Sequence, residues 1–323
     1  MVQKKGEKAA TARKYSPLER LHGFAELGRP LEWSKSLLNM TLATFLAFYC
    51  FNAVISLAVF VQGFFSVAFL WSGLYTLNDY TDRFIDAKHE VKKGRPIPSG
   101  RVSPAQAMGF ACVLFALSFM LAFMLDSIML VIFLLVMVLN QILYTMHPFR
   151  LKSRKIFDFI SGSMVNPVFR YFSGMALFVA PYAMLTTFQP VLPLIFVVGF
   201  QFGGYSMYRM FSKKHDLSHK MKSSVALMNE KKVKTASYIA VAAAALSYLL
   251  LILNGATIRN TQLGFLPLQY LLAVIPIIIF IAPLKNAMTN PQKANMRLSY
   301  WATYLATIVF IIGNAIIFFL FPW

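Results

Sequence analysis

Long apolar runs dominate this sequence and restrict it to folds that fit within a lipid bilayer. A helix needs about 17–25 consecutive, mostly apolar residues to cross a membrane. Nine runs reach that length, and they cover approximately residues 34–51, 54–78, 105–124, 128–146, 157–180, 187–210, 235–254, 266–284 and 299–321. Only a few residues separate the first run from the second and the third from the fourth, which predicts helical hairpins. We therefore expect an all-α membrane protein with nine transmembrane helices.

The composition supports this interpretation. Of the 323 residues, 58% are hydrophobic and 13% are charged, and the mean hydropathy is +0.60. Soluble domains average about 45–50% apolar and about 25% charged residues. These values exclude an ordinary water-soluble core, and they also exclude a disordered or collagen-like chain.

The basic residues indicate how the helices are oriented. The chain carries 31 Lys and Arg residues against 12 Asp and Glu residues, a formal net charge of +19. With nine spans, 29 of the 31 basic residues lie on one side, while Arg259 lies on the other side and Arg170 lies inside the fifth run. By the positive-inside rule, the N-terminus and these basic segments are cytoplasmic, and the C-terminus is on the opposite side. Because topology and an anionic lipid surface or substrate explain the charge, no nucleic-acid partner is expected.

The cytoplasmic end of the second run carries a group of oxygen-bearing side chains. Asn78, Asp82 and Asp86 are spaced four residues apart, and Asp79 lies three residues before Asp82, so these groups share one broad helix face. Left alone, the carboxylates would repel one another, and a hard divalent cation removes this repulsion. Mg²⁺ prefers oxygen ligands and commonly completes its coordination with phosphate. The segment therefore predicts a Mg²⁺–diphosphate site whose metal ligands are Asn78, Asp79, Asp82 and Asp86.

A basic loop follows this acidic helix end. Lys92 and Arg95 place positive charge beside the carboxylates, and an arginine can donate to two phosphate oxygens at once. Pro96, Pro98 and Gly100 predict a fixed turn that holds Arg95 in place. We therefore expect Lys92 and Arg95 to bind the phosphates of a substrate.

The motifs together resemble a known family. The pattern Asn78-Asp79-x-x-Asp82-x-x-x-Asp86, followed by Arg95-Pro96-Ile97-Pro98-Ser99-Gly100, resembles the UbiA superfamily of intramembrane prenyltransferases. The segment Arg29-Pro30-x-x-Trp33-x-Lys35 is similar to the opening of that family, and the segment from Tyr144 to Lys152 is similar to its Tyr/Lys motif. The resemblance implies nine helices around a central cavity and Mg²⁺–diphosphate at the first motif. It also implies catalytic roles for Asp79, Asp82, Tyr144 and Lys152, with Arg150 contacting the substrate.

The chain departs from this family at the second acidic motif. That motif should follow the sixth run with two or three acids, but only Asp216 remains there, among basic residues. Arg209 and Lys213, together with Asp216, are therefore candidates for contact with the substrate phosphates. Basic residues at this place also resemble the decaprenyl-phosphate phosphoribosyltransferase branch, which transfers a phosphoribosyl group to a polyprenyl phosphate.

Arg170 is a basic residue inside a predicted span. A charge within the membrane must find an anion, a backbone carbonyl or water. Two interpretations stay open. Arg170 contacts a phosphate or the head group of an acceptor, or it pairs internally with a polar group on another helix.

These features lead to an expected domain organisation and activity. Residues 1–33 form a basic cytoplasmic segment, and residues 34–323 form a transmembrane catalytic domain. The expected activity is Mg²⁺-dependent transfer of a prenyl group from a polyprenyl diphosphate to a hydrophobic acceptor, either aromatic or lipid-like. Phosphoribosyl transfer to a polyprenyl phosphate is the alternative reaction. A membrane transporter is the alternative outside the enzymes, although transporter sites lie near the bilayer midplane and the acids here cluster at the cytoplasmic edge.

Overall fold

The computed structural model describes residues 15–90, 92–186, 191–218, 224–253, 257–258, 261–262, 266–291 and 293–321. The first five helices are α1 (Pro17–Gly28), α2 (Trp33–Phe51), α3 (Leu57–Asp86), α4 (Pro104–Phe123) and α5 (Ile128–Thr145). The next five are α6 (Phe157–Phe159), α7 (Val165–Met175), α8 (Pro181–Thr186), α9 (Val191–Phe211) and α10 (Lys213–Ser218). The last four are α11 (Ser224–Leu227), α12 (Glu230–Ile252), α13 (Ile281–Thr289) and α14 (Met296–Leu320). Residues 1–14 of the predicted basic segment, and residues 187–190 and 254 of the predicted spans, lie outside the described residues.

Serine residues fix where several helices begin. Ser16 and Ser103 each accept a hydrogen bond from the backbone N–H three residues later, and Glu19 and Gln106 accept one in return from the N–H of the serine. Both ends are capping boxes, which satisfy backbone donors that a helix leaves unpaired. Pro104 follows Ser103 at the first helical position, where proline fits best.

The two predicted hairpins correspond to short connections. α2 is followed by α3 after residues 52–56, and α4 is followed by α5 after residues 124–127. Asn52 and Asp126 lie in these connections with φ angles of 50° and 52°. Asn and Asp adopt this left-handed backbone more readily than other non-glycine residues, so both connections use residue types suited to a tight turn.

Seven helical segments in the described part of the chain are long and apolar enough to cross a membrane. They are α3, α4, α5, α9, α12, Leu268–Thr289 and α14. The other two predicted spans fall on α2 and on residues 157–175, where a π-helical segment, Ile160–Met164, separates α6 from α7. The protein is therefore an integral membrane protein, and the count of nine spans stays a prediction.

α2 and α7 lie at the centre of the bundle, where other helices surround them. Residues of α2 belong to both large apolar clusters, one shared with α7, α9, α12 and α14, and one shared with α3 and α5. Where α2 crosses α7, a Cβ atom on Gly174 would lie 2.6 Å from the Cα atom of Met40, so the close approach of the two backbones requires glycine. A helix surrounded by protein needs fewer apolar side chains than a helix that faces lipid.

The segment Leu268–Phe280 is the opposite case. It is a 3₁₀-helix in which only Tyr270 and Ala273 are buried, and its exposed side chains include Ile275, Ile278 and Ile279. This composition is typical of a lipid-facing surface. A short antiparallel pair, β1 (Thr257–Ile258) with β2 (Thr261–Gln262), lies between α12 and this segment. Residues of α2, α3, α5, α7, α9 and α14 line a central cavity.

Candidate active site

Most of the residues that the sequence predicts for the site line the central cavity. Its volume is about 730 Å³, within the range of small-molecule sites. The predicted residues that line it are Asn78, Asp79, Asp82, Lys92, Arg95, Tyr144, Lys152, Arg170 and Arg209. Four others, Asp86, Arg150, Lys213 and Asp216, are not among the lining residues, and the structure places them one layer behind the wall or farther away.

Asp82, near the end of α3, binds two basic side chains from the loop after α5. Arg150 Nη2 donates to its Oδ1 atom at 2.7 Å, and Lys152 Nζ donates to its Oδ2 atom at 2.7 Å. Arg150 has a φ angle of 39°, a left-handed conformation that is costly for arginine, and the 3₁₀ turn Leu151–Ser153 follows it. The loop is therefore shaped so that both bases reach the same carboxylate.

Lys152 is buried, and its ammonium group is fully hydrogen-bonded. Besides Asp82, it donates to Asn78 Oδ1 at 2.8 Å and to Thr145 Oγ1 at 2.7 Å, which uses all three of its N–H donors. Burial lowers the pKa of Lys152 to about 8, and the charge of Asp82 opposes this shift. Lys152 is thus held in a fixed position beside the acidic end of α3.

Asp79 and Asp86 share a single arginine. Arg95 Nη1 donates to Asp79 Oδ1 at 3.1 Å and to Asp86 Oδ2 at 2.7 Å. Asp79 Oδ1 also accepts a hydrogen bond from Arg29 Nη2 at 2.5 Å, and Lys92 Nζ lies 3.9 Å from Asp86 Oδ1. The three aspartates of α3 therefore face five basic side chains.

The turn predicted after Arg95 is present. Ser99 N–H donates to the Arg95 carbonyl at 3.0 Å, Val102 N–H donates to the Pro96 carbonyl at 3.1 Å, and Gly100 has a φ angle of 81°. Such an angle favours glycine. The turn fixes the backbone that carries Arg95.

The donor set at the end of α3 fits Mg²⁺ chemically. Carboxylate and amide oxygens are its preferred protein ligands, and Mg²⁺ often takes only one or two carboxylates together with substrate phosphates. Asn78, Asp79 and Asp82 line the cavity and supply such oxygens. In the described part of the chain, however, no three Asp, Glu, His or Cys side chains converge on one point that could hold a metal ion. Basic side chains offset at least part of the repulsion that the sequence pattern led us to expect among these carboxylates.

The end of α9, where the second acidic motif should lie, has the opposite arrangement of charges. Arg209 Nη2 lies 3.2 Å from Asp216 Oδ2 and 3.6 Å from Asp158 Oδ2. Both carboxylates are buried, and Asp158 also accepts hydrogen bonds from the backbone and the hydroxyl of Ser224. Lys213 lies 3.9 Å from Glu230 Oε2. One cation is therefore surrounded by carboxylates that come from separate parts of the chain.

Tyr144 forms part of the wall between these two groups. Its hydroxyl is 2.8 Å from the hydroxyl of Tyr205, and its ring centroid is 5.9 Å from Lys152 Nζ. Tyr144 and Tyr205 both line the cavity. The predicted Tyr/Lys motif thus forms a single contact surface in the fold.

A third polar group lies deeper, around α2 and α7. Glu32 Oε2 accepts from Lys35 Nζ at 2.5 Å and from the Tyr75 hydroxyl at 3.3 Å. Although burial alone would raise the pKa of Glu32, the charge of Lys35 lowers it to about 2, so Glu32 and Lys35 form a neutral pair. Nearby, the Arg170 guanidinium lies over the Trp71 ring, with its Cζ atom 3.8 Å from the ring centroid.

Sequence reasoning missed several residues that line the cavity or pair with its walls. They are Arg29, Glu32, Lys35, Tyr75, Asp158 and Tyr205. Arg29 and Lys35 belong to the opening motif, Arg29-Pro30-x-x-Trp33-x-Lys35, which was a usable signal. Asp158 pairs with a residue about 50 positions away, which no local pattern reveals.

A match to a family profile shows to which protein family the chain belongs. The profile of the UbiA prenyltransferase family matches residues 38–304. The chain belongs to the UbiA prenyltransferase family. It is therefore a UbiA-type prenyltransferase, and this membership favours an enzyme over the transporter alternative.

Curated relatives carry several different activities. The chain is 26% identical over 252 residues to the digeranylgeranylglyceryl phosphate synthase of Methanothrix thermoacetophila, covering 77% of this chain and 84% of the relative. It is 42% identical over 62 residues to the 4-hydroxybenzoate octaprenyltransferase of a Marinomonas species, covering 19% and 21%. It is 34% identical over 97 residues to protoheme IX farnesyltransferase 2 of Cenarchaeum symbiosum, covering 30% and 31%. The chain thus spans about a fifth to a third of the length of the latter two.

Solved structures show the same fold. A UbiA homologue from Archaeoglobus fulgidus bound to GPP and Mg²⁺ is similar with a TM-score of 0.67 at 18% identity, covering 91% of this chain and 99% of that one. The apo structure of a UbiA homologue from Aeropyrum pernix K1 is similar with a TM-score of 0.68 at 18% identity, covering 89% and 98%. The helical membrane fold around a central cavity is therefore the UbiA fold.

Proposed function

We propose that this protein transfers a prenyl group from a prenyl diphosphate to an acceptor bound in the central cavity, with Mg²⁺ as cofactor. The observation that carries the proposal is the end of α3, where three aspartates and five basic side chains meet at the cavity wall. The Archaeoglobus homologue bound to GPP and Mg²⁺, and the prenyltransferase names of the curated relatives, support the same assignment.

The charges at the end of α3 suit a diphosphate. Asp79 and Asp82 would hold Mg²⁺, with Asn78 and Asp86 as further oxygen donors; when bound, the metal supplies Lewis-acid stabilisation of the leaving group. Arg29, Arg95 and Lys152 now donate to these carboxylates. Once the carboxylates have another partner, the same donors are free to bind phosphate oxygens. The excess of basic over acidic side chains leaves positive charge for a multiply charged anion.

The proposed prenyl transfer uses residues of the cavity wall. The allylic C–O bond of the donor breaks, and its electron pair goes to the diphosphate oxygen. Lys152 and Arg95 stabilise the negative charge that develops there, which is electrostatic catalysis by preorganised donors. The acceptor then forms the new bond to the allylic carbon and loses a proton, for which an oxygen of the released diphosphate is an available base. Leu38, Trp71 and Phe200 line the cavity and exclude water that would otherwise capture the carbocation.

Activity in a defined bilayer tests the proposal. The purified protein in nanodiscs receives a labelled prenyl diphosphate, Mg²⁺ and a total extract of membrane lipids and small metabolites. We expect pyrophosphate release and a labelled lipid product. A parallel reaction contains labelled phosphoribosyl diphosphate and a polyprenyl phosphate. Ribosyl labelling without prenyl transfer would overturn the proposal in favour of phosphoribosyl transfer.

Asp82→Asn with Asp126→Asn as its control makes this test specific to the site. Asp126 is exposed in the connection between α4 and α5, and Asn accepts its φ angle of 52°. The proposal requires loss of turnover in Asp82→Asn and wild-type turnover in Asp126→Asn.

A further inference from the structure

Arg170 is a buried cation to which the described part of the chain brings no carboxylate within ion-pair distance. The residue is 1% exposed and lines the cavity from α7. Its Nη1 atom donates to Gln201 Oε1 at 3.2 Å, and its Nε atom has no hydrogen-bond partner. Trp71, whose ring lies against the guanidinium, also has an unpartnered indole N–H. Two neighbouring residues of the cavity lining therefore each carry a buried N–H donor that has no acceptor among the described residues.

The other charged groups of the cavity show how unusual this is. Arg209, whose side chain is 14% exposed, has two carboxylates within 3.6 Å. Lys35 is neutralised by Glu32. A buried guanidinium without a counter-charge is costly, and contact with an aromatic ring and one amide offsets only part of that cost. Among the residues that the structure describes, the positive charge of Arg170 thus has no carboxylate partner, and an anion from outside the chain can supply one.

The position of Arg170 separates this charge from the diphosphate site. Trp71, Tyr75 and Asp79 are spaced four residues apart on α3, and all three line the cavity. Trp71 and Asp79 are eight residues apart, which is about 12 Å along a helix. Because Arg170 lies against Trp71, it is deeper in the cavity than the aspartates by roughly that distance. One small molecule can therefore occupy the space between Arg170 and a diphosphate at the end of α3.

We propose that Arg170 and Trp71 form the subsite for an anionic group of the acceptor, a carboxylate or a phosphate. This inference rests on the proposed prenyl transfer and names the class of acceptor. The guanidinium donates to the oxygens of the anion, and the indole N–H of Trp71 supplies a further donor. The acceptor's nucleophilic atom then points away from Arg170, towards the carbon that leaves the diphosphate. The subsite selects acceptors that carry a negative charge and rejects their neutral analogues.

The charge of the reaction product tests the inference. Wild-type protein converts a labelled prenyl diphosphate with the extract of lipids and metabolites, and anion exchange separates acidic from neutral labelled products. We expect an acidic product. Phosphatase treatment then distinguishes its source, because it makes a phosphate monoester neutral and leaves a carboxylate unchanged. A neutral product from the wild-type protein would overturn the inference.

The variant Arg170→Gln tests whether formation of the acidic product requires Arg170. Arg154→Gln, which removes an exposed arginine, is its matched control. We expect Arg170→Gln to lower formation of the acidic product about tenfold to hundredfold, the range for lost hydrogen bonds to a charged group. Binding of the prenyl diphosphate with Mg²⁺, measured by calorimetry, should stay unchanged. Arg170→Lys, which keeps the charge and loses the planar fork, should give an intermediate loss. Size exclusion and thermal unfolding of Arg170→Gln and Arg170→Lys control for a damaged core.

The remaining outcomes separate the two proposals. Equal acidic product from Arg170→Gln and wild type would contradict the role of Arg170. Loss of donor binding in Arg170→Gln would place the diphosphate in the deep subsite and also overturn the inference. Absence of donor binding and of product in the wild-type protein would instead overturn prenyl transfer itself.

Discussion

The ends of α3 and α9 hold charge in opposite ways. At the end of α3, three aspartates from one helix are surrounded by basic side chains from other segments. At the end of α9, one arginine is surrounded by Asp158 and Asp216. Asp79 and Asp82 line the cavity with cations that can exchange partners, whereas Asp158 and Asp216 do not line it. This difference supports the proposal that the first motif binds a ligand, whereas Asp158 and Asp216 hold Arg209 at the cavity wall.

The largest expected effect concerns stability at the end of α9. Arg209→Gln removes the cation that lies within 3.6 Å of both buried carboxylates, Asp158 and Asp216, which should lower the free energy of unfolding by about 3–5 kcal/mol. Thermal unfolding in detergent measures the change. The double variant Arg209→Gln with Asp158→Asn should recover part of the loss, because it also removes the buried negative charge of Asp158. Wild-type stability in Arg209→Gln would contradict the structural role of this group.

A comparable change at the end of α3 should affect turnover more than stability. Asp82→Asn removes the negative charge and one oxygen of the proposed metal ligand, and it removes the ion pair between Asp82 and Lys152. We expect kcat to fall on the order of 10²- to 10³-fold, as for other preorganised electrostatic groups. The unfolding temperature should change less than in Arg209→Gln, since the released bases lie close to the cavity. Pyrophosphate release and thermal unfolding, measured on the same samples, decide between these expectations.

Added ligands should distinguish the end of α3 from the end of α9 in the wild-type protein. The α3 carboxylates are already neutralised by basic side chains, so Mg²⁺ or EDTA alone should leave the unfolding temperature of the free protein unchanged. Mg²⁺ with a prenyl diphosphate at about 100 times its Kd should add about 2.7 kcal/mol of stability. In Asp82→Asn this gain should be reduced. Stabilisation by Mg²⁺ alone would show that the carboxylates form a preformed metal site.

The smallest effect should come from the loop after α3. Lys92 lines the cavity 3.9 Å from Asp86, whereas the neighbouring Lys93 is exposed. Lys92→Gln should lower kcat/KM for the donor up to about fivefold, the range for a partly exposed charge pair. Lys93→Gln is the matched control and should leave kcat/KM unchanged. Equal effects of the two variants would assign both lysines to membrane topology.

The sequence predicted those parts of the molecule whose pattern is local. The acids of α3 lie within ten residues of one helix, so their shared face follows from helical spacing. The turn after Arg95 also follows from residues that are neighbours in the chain. These features were visible because one secondary-structure element contains each of them.

The sequence did not predict contacts between distant segments. Arg29 reaches Asp79 across 50 residues, and Asp158 reaches Ser224 across 66. Hydropathy also marked residues 157–180 as an ordinary span, although the structure contains a π-helical segment there. The backbone geometry of a helix inside the bundle depends on the cavity that it lines rather than on the thickness of the membrane. The hydropathy pattern does not contain that information.

The most direct test of the proposed function is a structure with Mn²⁺ in place of Mg²⁺ and a non-cleavable prenyl thiodiphosphate. We predict anomalous density for the metal in contact with carboxylate oxygens of Asp79 or Asp82, with the diphosphate bound by Arg95 and Lys152. The contacts of Lys152 with Asp82 and of Arg29 with Asp79 should then be loosened or lost. A metal and diphosphate bound elsewhere, with both of these ion pairs intact, would contradict the proposed site.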